Sequence, residues 1–377
     1  MVGEYHDARR EPLEWRHAVV SHTFEVPLQS YRGEPVRITE ELRPIAIHEP
    51  SPGTFVADLG QNMVGVVRLR VTGPRGTTIR VRHAEILRND GNVYTEALRD
   101  APSTDTYVKG TDGEEIWHPH FTFHGFRYVE LSGLAHAATH ETLTGLVMHS
   151  AFRRAGDFTC SSQLVNQLQR NIVWSQRGNS LEIPTDCPQR DERLGWTGDA
   201  QVFIGTSTFN YDLAAYWTRW IEALFDAQME AGWIPYTAPT LPILNGSEIC
   251  AAGWADAAVV CPWAMFRTYG DTRIAKRYWA QMERYMSYLE GTSIQLIRPD
   301  QGFGDWLSLN APTPVDLMST AFFAWDASLM AEMAEAIGKP DRAQHFRNLF
   351  VRIREAYNAR FVTPDGRIKG NTQTCYV

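Results

Sequence analysis

The chain has 377 residues, a net charge of −8 and an ordinary balance of 44% hydrophobic and 21% charged residues. This length allows two or three globular domains. The negative charge gives no support to binding of nucleic acid, whose phosphates require a basic surface. No apolar run approaches the ~20 residues that a membrane-spanning helix needs, so we expect no membrane partner.

The five cysteines include no Cys-X-X-Cys pair, a pattern that fits neither a zinc site nor a disulfide framework. We therefore expect reduced, buried thiols in a cytoplasmic protein, with no metal and no other cofactor. Residues 1–25 carry several charged side chains, so the sequence predicts no signal peptide.

Residues from about 35 to 148 have the period-two alternation of β-strands, as in V-R-I-T-E-E-L-R and G-V-V-R-L-R-V-T. Turn signals such as Pro52-Gly53 and Asp112-Gly113 separate the strands. We predict a β-sandwich in which Phe123–Leu131 is a central strand. The histidines of His83-Ala84-Glu85 and His118-Pro119-His120 invite a metal-site interpretation, but on such strands we expect ordinary histidines.

From about Ser161 the pattern changes to the periodicity of helices. The predicted helices cover residues 163–178, 198–206, 212–230, 254–269, 272–291, 318–337 and 340–358. Three long segments lie between helices, at 180–197, 231–253 and 292–317. Loops of this length usually carry function, and successive helices separated by long loops indicate stacked helical hairpins.

The segment from Pro184 to Asp199 reads P-T-D-C-P-Q-R-D-E-R-L-G-W-T-G-D and holds four carboxylates, two arginines and one tryptophan. Its prolines and glycines prevent one continuous helix. Carboxyl groups beside an aromatic ring suit the cleavage of a sugar, in which one acid donates a proton and others bind hydroxyls. The alternative is a salt-bridged loop in which Asp191, Glu192 and Arg193 only pair with one another.

The nineteen residues from Ile183 to Gln201, I-P-T-D-C-P-Q-R-D-E-R-L-G-W-T-G-D-A-Q, resemble the signature of the bacterial α-L-rhamnosidases of glycoside hydrolase family 78. Seven other pieces agree with the family in their order along the chain. They are G-E-Y-H-D-A-R-R-E, D-L-G-Q-N-M-V-G, H-A-E-I-L, F-T-F-H-G-F-R-Y-V-E, G-W-A-D-A, G-F-G-D-W-L and T-Q-T-C-Y.

The resemblance implies an all-β domain followed by an (α/α)6 six-hairpin barrel. It also implies an inverting hydrolysis that releases terminal, non-reducing L-rhamnose from α-L-rhamnosides. The domains would be a remnant of a preceding β domain with its linker at 1–34, the β-sandwich at 35–150 and the first part of the barrel at 151–377. By matching motif positions, the resemblance implies Glu192 as the general acid. It implies sugar binding for Asp186, Arg190, Trp196, Asp199, Trp254 and Trp306.

A general acid must be protonated as the glycosidic bond breaks, whereas an ordinary glutamate is ionised at neutral pH. We therefore expect neighbouring carboxylates to raise the pKa of Glu192. An arginine that faced Glu192 would have the opposite effect. We expect Arg190 to pair with another carboxylate or to hold the sugar instead.

Five further side chains leave alternatives open. Trp196, Trp254 and Trp306 could stack on the apolar face and the methyl group of L-rhamnose, or they could pack in the core. Asp256 and Asp305 could bind substrate, or they could cap helices and brace loops.

An inverting glycosidase also needs a second carboxylate, which activates water across a gap of roughly 6.5–9.5 Å. The family places this general base in a late loop of the barrel, and the chain reaches Val377 after about seven of twelve helices. We therefore expect a fragment cut at both ends, with impaired activity and self-association through exposed apolar faces. The alternatives are a non-catalytic carbohydrate-binding protein and another six-hairpin glycosidase. The aglycone stays open.

Overall fold

The structure is a computed structural model, which describes residues 3–10, 14, 16–21, 26–241 and 249–377. The predictions made for residues 1–34 and for the loop 231–253 therefore lie partly outside the described residues.

The chain divides into two units. The first is Met1–Ala151 with Phe158–Arg193, and the second is Phe152–Asp157 with Leu194–Val377. The division falls inside the acid-rich segment, so the first part of that segment belongs to a β unit and its end belongs to a helical unit.

The first unit is built on β-strands, most of which alternate buried and outward side chains. In chain order these are β1 Tyr5–Asp7, β2 Val36–Leu42, β3 Ala46–Ser51, β4 Thr54–Val71, β5 Thr78–Ala84, β6 Ile86–Leu87, β7 Val93–Tyr94, β8 Thr104–Val108, β9 Glu115–Trp117, β10 His124–Ser132, β11 Leu143–Ser150, β12 Ser180–Leu181 and β13 Ile183–Pro184. Within the described ranges, nine strands form one sheet, in the order β1-β8-β5-β10-β4-β11-β2 with β3 and β9 also paired to β4. Strands β6 with β7, and β12 with β13, form two short ribbons.

Strand β4 organises the sheet because its 18 residues pair with four neighbours. Its first part pairs with β10 and its second part with β11. Strand β10 lies between β5 and β4, which confirms the prediction of a central strand at Phe123–Leu131. The core of the unit includes the fully buried side chains of Leu69, Phe126, Leu131 and Leu143.

Helix α1, Gln163–Gly178, also belongs to the first unit and has its predicted bounds. It begins after Ser162, whose hydroxyl accepts a hydrogen bond from the N–H of Val165. Its last residue lies against β4, since a Cβ at position 178 would be 2.9 Å from Cγ2 of Val64. Glycine at this position therefore lets the helix approach the sheet closely.

The second unit is helical. Its helices are α2 Thr197–Asn210, α3 Ala214–Asp226, α4 Ala257–Tyr269, α5 Arg273–Arg277, α6 Trp279–Gly291, α7 Val315–Ala336, α8 Pro340–Phe361 and α9 Gln373–Tyr376. The segment predicted as one helix at 272–291 is two helices, α5 and α6, which meet at Tyr278. Helices α7 and α8 form a hairpin around Gly338, whose φ of 77° suits glycine, and Pro340 begins α8 as the first helical residue.

The core of the second unit is rich in large side chains, which include the buried Trp217, Trp220, Tyr285, Phe323 and Phe346. The predicted fold class, a β domain followed by helices in hairpins, is confirmed. Across the described ranges, no helix is both long enough and apolar enough to span a membrane.

The prediction that the thiols are buried is confirmed for three of the five cysteines. Cys187, Cys261 and Cys375 are buried, whereas Cys250 is half-buried and Cys160 is exposed. The prediction is wrong for Cys160 because this residue lies in the irregular segment just before α1, outside either core.

Candidate active site

The acid loop, defined as residues 185–193, follows strand β13 and rests on the sheet of the first unit. Gly125 of β10 makes room for it, because a Cβ at position 125 would be 2.8 Å from Cβ of Gln189. A tight turn follows, in which the N–H of Glu192 donates to the carbonyl of Arg190 at 2.9 Å. The loop that carries Glu192 is therefore supported by a regular strand.

Two arginines hold the carboxylate of Glu192. Its Oε2 atom lies 3.0 Å from Nε of Arg190 and 3.0 Å from Nη1 of Arg99, and the thiol of Cys187 donates to the same oxygen at 3.7 Å. Nη2 of Arg190 also lies 3.7 Å from Oδ2 of Asp186, so this arginine links two carboxylates. The Glu192 side chain is only 18% exposed, which strengthens these charge interactions relative to open water.

The two arginines also set the protonation state of Glu192. Partial burial raises the pKa of Glu192, but the charges and hydrogen bonds of Arg190 and Arg99 outweigh burial and hold the pKa below its usual value. The expectation of a raised pKa is therefore wrong for this state of the protein. The expectation for Arg190 is half right, since it pairs with Asp186 but also with Glu192.

Arg99 was not predicted from the sequence. It follows the 3₁₀ turn Glu96–Leu98 and adopts a φ of 57°, a left-handed conformation that is costly for a residue with a Cβ. It lies 93 positions before Glu192 in the chain. No local motif marks it, because only the folding of the β domain brings it to the acid loop.

Arg193 does not form the salt-bridged loop that was the alternative interpretation. Its guanidinium stacks on the ring of Phe123, with Cζ 4.0 Å from the ring centre, and burial lowers its pKa to about 10. Asp191, by contrast, is exposed. Glu192 is thus held by Arg190 and Arg99 rather than by its neighbour in sequence.

Asp186, Cys187 and Glu192 bring three potential metal-binding atoms together. Burial and the neighbouring carboxyl group of Asp186 raise the pKa of the Cys187 thiol to about 12, so the sulfur keeps its proton in this structure and is not a nucleophile at neutral pH. The arginines on Glu192 oppose a cation as well. The group suits recognition of hydroxyl groups better than metal binding.

A second set of potential metal ligands, His83, Asp105 and His124, is buried in the sheet. The two imidazole rings stack at 4.0 Å with an angle of 13° between their planes. Because the nitrogen lone pairs lie in the ring planes, one ion cannot sit in line with both rings. Hydrogen bonds to Asp105 and to the carbonyl of Ser103 occupy ring nitrogens instead. These histidines form a structural cluster.

The second unit holds an aromatic cluster, defined as Trp196, Tyr236, Trp254, Phe303 and Trp306. Trp196 stacks on Tyr236 with ring centres 5.2 Å apart and planes at 15°. Phe303 lies edge-on to Trp254 at 4.8 Å and to Trp306 at 5.7 Å. Trp306 is 63% exposed, and Trp196 and Trp254 are half-buried. These three rings are therefore not simple core residues.

Two members of the aromatic cluster were missed from the sequence. Phe303 lies inside the quoted piece G-F-G-D-W-L, between Gly302 and Gly304, which both have positive φ angles. That pattern could have indicated a ring presented on a tight loop. Tyr236 lies in the loop after α3 and had no comparable signal.

Close backbone contacts fix the cluster. The N–H of Ala238 donates to the carbonyl of Gly195 at 2.8 Å, and the N–H of Thr197 donates to the carbonyl of Tyr236 at 2.9 Å. Gly198, in the first turn of α2, touches the indole of Trp254, because a Cβ there would be 2.8 Å from Nε1. The glycines of the sequence motif thus set the positions of the tryptophans.

The candidate site aspartates of the second unit differ in their burial and in their hydrogen bonds. Asp199 is exposed in the first turn of α2, where a negative charge is favoured by the helix dipole. Asp256 is only 1% exposed and accepts hydrogen bonds from the N–H of Gly253 at 2.5 Å and the hydroxyl of Tyr285 at 3.0 Å. For Asp256 the structure supports loop bracing, one of the two alternatives.

Asp305 has a similar role. Its Oδ2 atom accepts hydrogen bonds from the hydroxyls of Thr313, at 3.2 Å, and Thr374, at 2.7 Å. It therefore ties the loop that carries Phe303 and Trp306 to the segment around α9, which again supports bracing.

Comparison with known proteins identifies the family. Residues 153–377 match the bacterial alpha-L-rhamnosidase 6 hairpin glycosidase domain, and residues 48–149 match the bacterial alpha-L-rhamnosidase concanavalin-like domain. An alpha-L-rhamnosidase of Streptomyces avermitilis is 44% identical over 388 residues, which cover 100% of this chain and 37% of the relative. An alpha-L-rhamnosidase of Formosa agariphila is 40% identical and covers 85% of this chain and 36% of the relative.

Solved structures agree with the sequence relatives. The crystal structure of the Streptomyces avermitilis alpha-L-rhamnosidase complexed with L-rhamnose matches with a TM-score of 0.89 and 46% identity, over 92% of this chain and 33% of that one. The native enzyme from Aspergillus terreus matches with a TM-score of 0.91 and 32% identity, over 99% of this chain and 46% of that one. The chain thus spans less than half the length of these relatives.

Proposed function

Because the chain belongs to the bacterial α-L-rhamnosidase family, we propose that it contributes the general acid and sugar-binding residues of an inverting α-L-rhamnosidase. Its substrate would be a glycoside with a terminal, non-reducing α-L-rhamnose. The observation that carries this proposal is the partly buried carboxylate of Glu192, held 3.0 Å from each of two arginines on a loop fixed to the sheet.

Glu192 acts as the acid once a substrate changes its surroundings. Sugar hydroxyls that bind Arg190 and Asp186 compete with Glu192 for the guanidinium and exclude water from the carboxyl. Loss of the arginine contact and of water both raise the pKa of Glu192. The carboxyl then holds the proton that the departing glycosidic oxygen needs.

The remaining residues bind or position the sugar. Asp186, Arg190 and Asp199 bind hydroxyls, and ionised partners make these hydrogen bonds stronger than neutral ones. Trp196, Trp254 and Trp306 offer ring faces to the apolar side of rhamnose. Asp256 and Asp305 hold the loops that present the tryptophans, and they do not touch the sugar.

The test compares the parent chain with Glu192→Gln on two substrates. Hydrolysis of an unactivated alkyl α-L-rhamnoside should fall by about 10²–10⁴. Hydrolysis of p-nitrophenyl α-L-rhamnopyranoside should fall less, because nitrophenolate leaves with little protonation. The exposed neighbour Asp191→Asn is the matched control and should keep the parent rates. Measurable hydrolysis of the alkyl rhamnoside at equal rates by Glu192→Gln and by the parent would exclude Glu192 as the acid.

One observation favours a second candidate, a non-catalytic carbohydrate-binding protein. The lowered pKa of Glu192 makes it a good acceptor of hydrogen bonds but a poor proton donor. Binding of L-rhamnose without turnover of either substrate, by a protein that contains this chain and has the length of its relatives, would support this candidate over the enzyme.

A further inference from the structure

Two buried carboxyl groups of the second unit face each other behind the turn that carries Trp254. Asp256 comes just before α4 and is 1% exposed, and Asp326 lies in the middle of α7 and is fully buried. A buried carboxylate loses its hydration, and two neighbouring carboxylates also repel each other, so both cannot be ionised together without a large loss of free energy. The pair therefore holds one proton at neutral pH.

The surroundings of the pair decide which residue carries this proton. Asp256 accepts hydrogen bonds from the N–H of Gly253 at 2.5 Å and from the hydroxyl of Tyr285 at 3.0 Å, and such bonds stabilise a charged carboxylate. Neither oxygen of Asp326 meets a donor in the part of the chain that the structure describes. An ionised Asp326 is therefore buried without a partner, whereas a protonated Asp326 donates to Asp256.

The other titratable groups beside the pair leave the proton where it is. Tyr285 of α6 and Cys250, which precedes α4, face both aspartates, and burial is the main reason that the pKa of each is raised. Both side chains are therefore neutral at pH 7. The guanidinium of Arg298 faces Cys250 and donates to the carbonyl of Leu289 near the end of α6. The charge and the proton thus stay within the two carboxyl groups.

The pair is connected to Trp254 through Gly253. The N–H of Gly253 donates to Asp256, and its carbonyl accepts a hydrogen bond from Nε2 of Gln201 in α2. Trp254 is the next residue, and its own N–H donates to the carbonyl of Ala251 at 3.2 Å. The turn that carries the indole is therefore held by α2 on one side and by Asp256 on the other, so a shift of Asp256 moves the indole.

We propose that Asp326 is a positioning residue for sugar binding, which as a protonated acid donates to Asp256 and so fixes the turn that presents the indole of Trp254. The inference rests on the proposed function, because it requires that Trp254 contacts the sugar. Asp326 itself is fully buried and acts only through Asp256. Without the donor, the buried carboxylate of Asp256 loses a partner, and its movement displaces Gly253 and the indole that follows.

The first measurement asks whether Asp326 is protonated at pH 7 in the full chain. Infrared difference spectroscopy of the parent against Asp326→Asn should show the C=O band of a protonated carboxyl group, present in the parent and missing from the variant. The control is Glu335→Gln, which changes an exposed carboxyl group of the same helix and should leave this band in place. A parent without the band would overturn the inference.

The second measurement follows Trp254 in protein labelled with 5-fluorotryptophan, with its ¹⁹F signal identified from Trp254→Phe. Asp326→Asn keeps a donor and should keep both the parent signal of Trp254 and the parent affinity for L-rhamnose, measured by calorimetry. Asp326→Leu has no donor, so the signal should shift and the affinity should fall about tenfold, which corresponds to one hydrogen bond to a charged group. Glu335→Gln should match the parent in both measurements.

Two results of the second measurement would also overturn the inference. One is a folded Asp326→Leu with the parent signal and affinity. The other is an Asp326→Asn that loses both, since a donor at this position would then not be enough; this variant decides the question even where Asp326→Leu does not fold. Failure of the proposed function is a different result, namely no binding of L-rhamnose to a folded parent chain, and the infrared band and the ¹⁹F signals report on Asp326 independently of it.

Discussion

Nε of Arg190 lies 3.0 Å from Oε2 of Glu192, and Nη2 of the same guanidinium lies 3.7 Å from Oδ2 of Asp186. One arginine therefore neutralises the proposed acid and a proposed sugar ligand together. A sugar that binds Asp186 and Arg190 disturbs both contacts at once. If the sugar binds these two residues, as we propose, its binding and the protonation of Glu192 are linked through a single side chain.

Arg99→Met should raise the pKa of Glu192. The variant removes one of two positive charges that stabilise the carboxylate but leaves Arg190 in place. A higher pKa keeps the acid protonated to higher pH, so the alkaline loss of activity should also move to higher pH. The pKa is measured by NMR titration of ¹³C-labelled glutamate carboxyls, with the Glu192 signal identified from Glu192→Gln.

The control for this variant is Arg43→Met, which removes an exposed arginine elsewhere in the first unit. It should leave the Glu192 titration unchanged. A midpoint that is the same in Arg99→Met and in the parent would show that Arg99 does not act on the acid in solution.

Gly198→Ala should disturb the aromatic cluster. The new methyl group would lie 2.8 Å from Nε1 of Trp254, so the indole must move, at a cost of about 1–3 kcal/mol in the free energy of unfolding. We expect affinity for L-rhamnose, measured by calorimetry, to fall about tenfold.

The control is Gly205→Ala, in the same helix with open space around it. It should raise the free energy of unfolding by about 0.5–1 kcal/mol and keep the parent affinity. Equal affinities in both variants would argue against a role for Trp254 in binding.

The sequence predicts the secondary structure well where periodicity is long and regular. Helix α1 has its predicted bounds, and the strand at Phe123–Leu131 is central as expected. The break between α5 and α6 was missed because Tyr278 carries no helix-breaking signal; a proline or glycine would have marked it.

The candidate site shows a sharper limit of sequence reasoning. Asp186, Arg190 and Glu192 lie in one motif, and the structure brings them together. The sign of the Glu192 pKa shift could not be predicted, because it depends first on whether Arg190 faces Glu192 and then on Arg99, which is distant in sequence. The place of Phe303 between Trp254 and Trp306 could not be predicted either, because tertiary packing brings the three rings together and no local pattern marks the contact.

Glu115→Gln should lower stability at neutral pH but not in acid. Hydrogen bonds from Thr111, Tyr107 and Lys109 outweigh burial and lower the pKa of Glu115 from 4.5 to about 2. A lowered pKa stabilises the fold above the unfolded-state pKa, and this stabilisation is lost as pH falls through the folded value. At pH 7 the variant should lose about 1–2 kcal/mol after solvent screening.

The measurement for this prediction is urea unfolding of parent and variant at a series of pH values. The difference between them should shrink as pH falls from about 4.5 toward about 2. The adjacent, exposed Glu114→Gln is the control and should differ little from the parent at any pH. A Glu115→Gln deficit that did not change with pH would mean that the carboxylate charge is not what stabilises the fold.

Asp326→Asn should remove a loss of stability that the parent shows as pH rises. Burial, with the negative charge of Asp256 and a hydrogen bond to it, raises the pKa of Asp326 well above its usual value. A raised pKa gives stability that is complete below the unfolded-state value near 3.8 and declines as pH rises toward the folded value. The other groups that face this pair are Tyr285 and Cys250, both of which keep their protons at neutral pH.

An asparagine amide donates to Asp256 at every pH. The unfolding temperature of the variant should therefore change less between pH 5 and pH 8 than that of the parent. Asp326→Leu, which cannot donate, should be less stable than the parent at both pH values, because Asp256 then loses a partner in a buried site. Parallel pH profiles for the parent and Asp326→Asn would show that a raised pKa of Asp326 does not govern the pH dependence of stability.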